Sequence, residues 1–204
     1  MITIVDYGTS NLGSVRNMLK KIGAESKFAS TPAELEDATK IIVPGVGSFD
    51  AGMSKLNASG MVPVLNRKVV EEKVPVLGVC LGMQLMTRGS EEGTLDGLGW
   101  INATTVRFDQ EVHPALRVPH MGWNEVKARK GEPIIANIAP ETRFYFAHSF
   151  HVLCDDSADI LLEAHYGSTF PAAVSHGNVI AAQFHPEKSH RFGMWLLRNF
   201  VESY

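Results

Sequence analysis

The stretch Pro75-Val76-Leu77-Gly78-Val79-Cys80-Leu81-Gly82-Met83-Gln84 decides the reading of this chain. An apolar run of strand length meets a cysteine and then a helical pattern, with glycines two residues to either side of the sulfur. This is the Gly-x-nucleophile-x-Gly spacing of an elbow, with sulfur in place of the serine oxygen. A nucleophile on a sharp strand-to-helix turn needs neighbours without Cβ atoms, so that the chain can turn and a substrate can approach. At a helix start the positive end of the dipole favours the thiolate. The first helical N–H, from Leu81, is placed to donate to an oxyanion. A lone cysteine is more often an inert core residue, which is how Cys154, in Val152-Leu153-Cys154-Asp155-Asp156, is read. The glycines and the preceding apolar strand reverse that default for Cys80.

Working outward, Ile2 to Val5 is followed by a turn and a helical pattern over Asn11 to Ile22, and Ile41 to Val43 ends at Pro44-Gly45. Val62 to Val70 then precedes Val76 to Val79. Strand, helix, strand in this rhythm predicts parallel pairing, because parallel strands need crossovers. After Gly97 come closely spaced β-like runs: Ala103 to Phe108, Arg143 to Ala147, Ile160 to His165, Ala172 to Ser175 and Val179 to Phe184. His176-Gly177-Asn178 supplies turn chemistry between the last two. A final helix over Arg191 to Glu202 sets Met194, Leu197 and Val201 near one face. The expected fold is α/β: an open, doubly wound sheet with a parallel core, extended by antiparallel strands, with helices on both faces. No repeat or linker divides the chain, so residues 1–204 are read as one domain.

The 204 residues are 45% apolar and 20% charged, close to the globular average. Nineteen Lys and Arg against 22 Asp and Glu leave a net charge of -3, and the pI of about 6.2 gives no bulk basic surface for nucleic acid or an anionic membrane. The opening residues lack a basic segment followed by a cleavable apolar stretch. No window approaches the roughly 18 apolar residues of a membrane span. With two cysteines, too few for a disulfide framework, these features place the expected protein in the cytoplasm.

A cysteine nucleophile needs a base, and the base needs an orienting group. Gln183-Phe184-His185-Pro186-Glu187-Lys188 offers both at the end of an apolar strand. Glu187 lies where its carboxylate can hold one imidazole nitrogen of His185 and leave the other facing sulfur. Two rival motifs are weaker. His148-x-x-His151 has ligand-like spacing, but on one strand positions three apart face opposite sides, and no cysteine or carboxylate completes a site. The Gly8-to-Gly13 loop has Ser14 where a phosphate loop has lysine. No metal and no cofactor are expected.

At this point the chain resembles the class I (triad) glutamine amidotransferases, a flavodoxin-like group. Within them it resembles the HisH family, the glutaminase subunits of imidazole glycerol phosphate synthase. The likeness rests on Asp6-Tyr7-Gly8 with Asn11-Leu12, Pro44-Gly45-Val46-Gly47, the Cys80 elbow, Pro119-His120-Met121-Gly122-Trp123-Asn124, His148-Ser149 and Phe184-His185-Pro186-Glu187-Lys188-Ser189. The resemblance implies that Cys80 attacks the side-chain amide of L-glutamine, with His185 moving the proton and Glu187 holding the imidazolium. It implies an oxyanion hole from the peptides at Val46 and Leu81, and substrate contacts at Gly47, Gln84 and Ser149. It implies a (βα)8-barrel cyclase partner, HisF, that receives the ammonia, with Asn11, Met121, Trp123 and Lys188 at or near the interface. Phe150 stands where many relatives have Tyr, and Lys188-Ser189-His190-Arg191-Phe192-Gly193 is similar to paralogous glutaminases that serve sugar amidotransferases. That paralogue reading is the alternative. Doubly wound folds also serve cysteine-centred redox or stress proteins, against which His185 and Glu187 together count.

Overall fold

The computed structural model describes residues 1–8, 11–112 and 114–204. Thr9 and Ser10, inside the Gly8-to-Gly13 loop, lie outside the described residues. The first half alternates as its apolar rhythm predicts: β1 (Ile2–Val5), α1 (Leu12–Lys21), β2 (Ser26–Ala29), β3 (Ile41–Gly45), α2 (Phe49–Ala58), α3 (Val62–Asn66), β4 (Val76–Cys80) and α4 (Leu81–Leu85). The second half holds β5 (Ala103–Arg107), β6 (His120–Glu125), β7 (Lys127–Ala128), β8 (Arg143–His148), β9 (Phe150–Cys154), β10 (Ile160–Tyr166), β11 (Ser168–His176), β12 (Val179–Ala182) and α5 (His190–Ser203).

Among the described residues, the main sheet has eight strands in the order β2-β1-β3-β4-β12-β11-β10-β7. The pairs from β2 through β12 are parallel, and those beyond are antiparallel. Alternation along the strands splits the core. Ile2, Ile4 and Leu77 face α1 and α5, packing with Val15, Leu19, Leu197 and Phe200. Val5, Val43 and Val76 face the other way, toward Phe49, Met53 and Leu56 of α2 and Leu65 of α3. Each fully buried side chain of this size contributes about 1.5–3 kcal/mol of transfer free energy, so helices cover both faces. The expected doubly wound sheet is the one observed.

Three details differ from the sequence reading. The Ala103 and Arg143 runs do not join the main sheet. They form separate two-stranded pairs, β5 with β9 and β6 with β8, with β9 against β11 and β6 against β10. The Val62-to-Val70 run is α-helical only to Asn66 and continues as a wider π-turn over Arg67–Glu71. α2, β2, β6, β7 and β9 were not anticipated. In α2 the helical spacing of Phe49, Met53 and Leu56 is diluted by Gly52, Ser54 and Asn57. In β6, Gly122 at φ +133° and alternating polar residues hide the strand. No helix among the described residues is long and apolar enough to cross a membrane.

Candidate active site

The site forms where parallel strands end and their loops diverge, the usual position for a ligand in an open α/β sheet. Cys80 closes β4 with φ 54° and ψ −111°, a backbone setting that L-residues adopt only under constraint. The constraint is visible at Gly82: a Cβ there would lie 1.9 Å from the Val43 carbonyl oxygen, so α4 sits directly against β3. The elbow therefore projects Cys80 at the edge of the sheet, with Leu81 as the first residue of α4.

His185 arrives from the neighbouring strand β12. Its backbone N–H donates to the Tyr145 carbonyl at 2.9 Å, and its own carbonyl accepts from Ser189 Oγ at 2.6 Å. The imidazole is buried, and its Nδ1 lies 2.8 Å from Glu187 Oε1. The other nitrogen is left for Cys80, which is a hydrogen-bond partner of the ring. Burial pushes His185 down, but the hydrogen bonds to Cys80 and Glu187 outweigh it and raise the imidazole to about 9. The ring thus carries its proton at neutral pH and has one to give. Glu187 is nearly enclosed, and Asn11 Nδ2 donates to its Oε1 at 2.8 Å. Asn11, read from the sequence as an interface residue, therefore also braces the carboxylate.

A cavity of about 300 Å³ opens over the sulfur. Its wall includes Val46, Gly47, Cys80, Leu81, Gln84, Ser149, His185, Met121 and Lys188, so nine positions singled out in the sequence meet at one place. Glu187 stands behind His185, while Asn11 and Trp123 do not line the cavity. Gly47 has φ +109°, the freedom that a reorienting peptide at Val46 needs. Gln84 is buried rather than solvent-facing, and both its amide hydrogens go to protein acceptors: the Phe150 carbonyl and Gln183 Oε1, each at 3.1 Å. Its carbonyl oxygen is then the group left for a substrate N–H. Met121 and Trp123 are 64% and 43% exposed, which rules out core packing for both. Trp123 stacks on His190 and faces Tyr145, and Lys188 Nζ lies 5.8 Å over the Tyr145 ring.

Sequence reasoning missed Glu92, Pro119, Ala147 and Phe150 in the wall. Glu92 holds the Phe49 N–H through Oε2 at 2.8 Å and is the carboxylate that reaches the cavity. It sits in a loop with no motif to mark it. His148 and His151 do not share one strand, contrary to the sequence reading. They lie on different strands, β8 and β9, either side of the corner at Ser149, and both rings pack on Phe108, at 5.2 and 4.8 Å. His148 is committed to His120 Nδ1 at 3.0 Å and to the Phe150 carbonyl at 2.7 Å. Among the described residues no group of three His, Cys, Asp or Glu side chains is placed to hold a metal ion. Cys154 is pushed up to about 11 by burial and by Asp159 and Asp155, in keeping with an inert thiol.

Burial lowers His120 to about 4. Burial, with the adjacent histidines, lowers His148 to about 3 against the upward pull of the Phe150 carbonyl. Each then binds fewer protons folded than unfolded. The resulting stability is complete above about pH 6.5 and is lost as pH falls toward the folded values. Urea unfolding at about pH 5 should show a loss on the order of 1–2 kcal/mol per histidine relative to pH 7. His148→Gln should remove about half of that pH dependence; an unchanged profile in the variant would refute the assignment.

A cysteine elbow backed by imidazole and carboxylate, on a doubly wound sheet, defines an amidotransferase of the triad class. The model of the family "Glutamine amidotransferase class-I" matches residues 3–203. Curated relatives named imidazole glycerol phosphate synthase subunit HisH 2 are 50% identical over 202 residues in Methanococcus maripaludis and in Pseudomonas aeruginosa PAO1, covering 99% of each chain. The subunit HisH of Leptospira interrogans is 46% identical over 202 residues, covering 98% of this chain and 99% of its own. The chain belongs to the class I glutamine amidotransferases and, within them, to the HisH family. Solved structures with the same fold include a glutamine amidotransferase (TM-score 0.74, 21% identity, 98% of this chain and 97% of that one) and PurLQS from Thermotoga maritima (TM-score 0.72, 18% identity, 98% and 96%).

Proposed function

We propose that this chain, as one domain over residues 1–204, is the cytoplasmic glutaminase subunit of an imidazole glycerol phosphate synthase. The observation that carries the reading is the Cys80–His185–Glu187 line, set at the floor of an amino-acid-sized cavity whose wall includes the exposed Met121, with the exposed Trp123 two residues further along β6. The Cys80 sulfur attacks the side-chain amide carbon of L-glutamine. The oxygen that gains charge is met by the N–H of Leu81 and by the peptide at Val46. His185 gives its proton to the departing nitrogen, so ammonia leaves and a glutamyl thioester remains. Water, deprotonated by the now neutral imidazole, attacks the thioester carbon, which releases glutamate, frees the sulfur and leaves the ring protonated as at the start. Gly47, Gln84 and Ser149 hold the substrate, and Glu92 supplies the negative charge that suits its α-ammonium.

Ammonia in bulk water at neutral pH is mostly ammonium and a poor nucleophile, so a synthase needs it delivered across a closed interface. The partner is a synthase subunit, a (βα)8-barrel cyclase of HisF type, that docks over the cavity mouth on Met121, Trp123 and Lys188, with Asn11 close by. An exposed tryptophan beside a basic rim has the composition of an interface anchor. Trp123→Ala should weaken cyclase binding by about 30-fold or more, measured by titration calorimetry, with the melting temperature of the free chain unchanged. Wild-type affinity in the variant would contradict this docking face.

A further inference from the structure

Beneath the cavity lies a row of buried amides and imidazoles, of which the steps above use only the Gln84 carbonyl oxygen. Gln183 is fully buried, and its Nε2 lies 3.8 Å from Cys80 Sγ, an N–H to sulfur contact lengthened by the size of the acceptor. Which end of that amide meets sulfur is settled by its neighbours. The Phe150 carbonyl can only accept, and it takes Gln84 Nε2 at 3.1 Å, which fixes the orientation of the Gln84 amide. Gln84 Nε2 then gives its second hydrogen to Gln183 Oε1, also at 3.1 Å. Turning Gln183 over would set nitrogen against nitrogen on one side and lose the donor to sulfur on the other.

The same carbonyl receives the Nδ1–H of His148 at 2.7 Å. A neutral His148 protonated at Nδ1 accepts at Nε2, which takes the Nδ1–H of His120 at 3.0 Å. His120 Nε2 in turn accepts from Asn124 Nδ2 at 3.3 Å. Both rings are buried and held neutral, so every link has a single direction. Two donor chains meet at the Phe150 carbonyl, and the branch through Gln84 and Gln183 ends on sulfur.

We propose that Gln183 is a second hydrogen-bond donor to the Cys80 sulfur, beside His185, aiming it into the cavity and stabilising the negative charge it carries when its proton leaves. A neutral amide suits the task because it stabilises negative charge without competing for the proton that His185 carries. The proposal rests on Cys80 as the nucleophile, and its test reads the sulfur directly, without glutamine or partner.

Gln183→Met keeps the length and removes the donor; Gln183→Glu keeps the shape and replaces the NH2 by oxygen. In the full chain at neutral pH, the rate of Cys80 modification by iodoacetamide and the ultraviolet absorbance of its thiolate are measured, with Cys80→Ala subtracted for Cys154. Both variants should be modified about 10–100-fold more slowly, with thiolate absorbance reduced. Glutamine kcat should fall in step, with KM within about twofold of the parent. A merely structural role lowers the melting temperature and leaves the modification rate of the folded chain unchanged, so a folded variant modified at the parental rate overturns the proposal. If neither variant folds, Gln84→Met, which frees Gln183 to turn, should lower the modification rate in the same direction, and a parental rate there overturns it equally. Gln183-dependent modification in a chain without glutaminase activity would support this proposal and refute the glutaminase reading; the reverse pattern would refute this proposal alone.

Discussion

Cys80→Ala is expected to abolish glutamine hydrolysis, lowering glutamate release by about 10⁴-fold or more, while leaving ammonia-dependent synthesis by the partner intact. Cys80 alone stands at the left-handed turn between β4 and α4, facing both the imidazole and the cavity. Cys154 lies at the end of β9, and burial and nearby acids hold it up near 11 as a thiol, so it offers no substitute nucleophile. Alanine leaves the elbow, the cavity and the exposed rim in place, so docking should survive. Separating the two half-reactions distinguishes a lost nucleophile from a lost fold. Retained glutamine turnover in Cys80→Ala would contradict the account.

His185→Gln is expected to cost nearly as much, about 10³–10⁴-fold in kcat/KM for glutamine. Its ring is the one group placed to take the proton from sulfur and return it to the leaving nitrogen, and the bond to Glu187 at 2.8 Å fixes which nitrogen does so. Because nucleophile and base act as a unit, Cys80→Ala with His185→Gln together should be no slower than the worse single variant within about threefold. Steady-state glutamate release for the single and double variants checks this. Fully multiplicative losses would mean that the two residues serve separate steps.

Much of this is legible in the sequence itself. Gly78, Cys80 and Gly82 foretold both the turn and its nucleophile, because few backbones besides an elbow need that spacing, and the Val43 carbonyl against Gly82 supplies the physical reason. The strand-helix-strand rhythm of the first half foretold the parallel core, because parallel strands need crossovers. The rest was obscured by long-range packing. β6 carries Met121 and Trp123 outward and His120 and Asn124 inward, a pattern that becomes a strand only once β8 lies beside it. Gln183 looked like part of a strand leading to His185, and its role depends on Gln84, nearly a hundred positions away. Glu92 reaches the cavity from a loop whose path is set by its bond to the Phe49 N–H, which no local pattern encodes.

The most direct test of the central claim follows the nitrogen. The chain is mixed with a (βα)8-barrel cyclase, glutamine labelled at its amide nitrogen, and an excess of unlabelled ammonium in solution. If Cys80 releases ammonia into a closed interface, the label should appear undiluted in imidazole glycerol phosphate. Label lost to the ammonium pool, or found in a sugar and absent from the imidazole, would contradict the account.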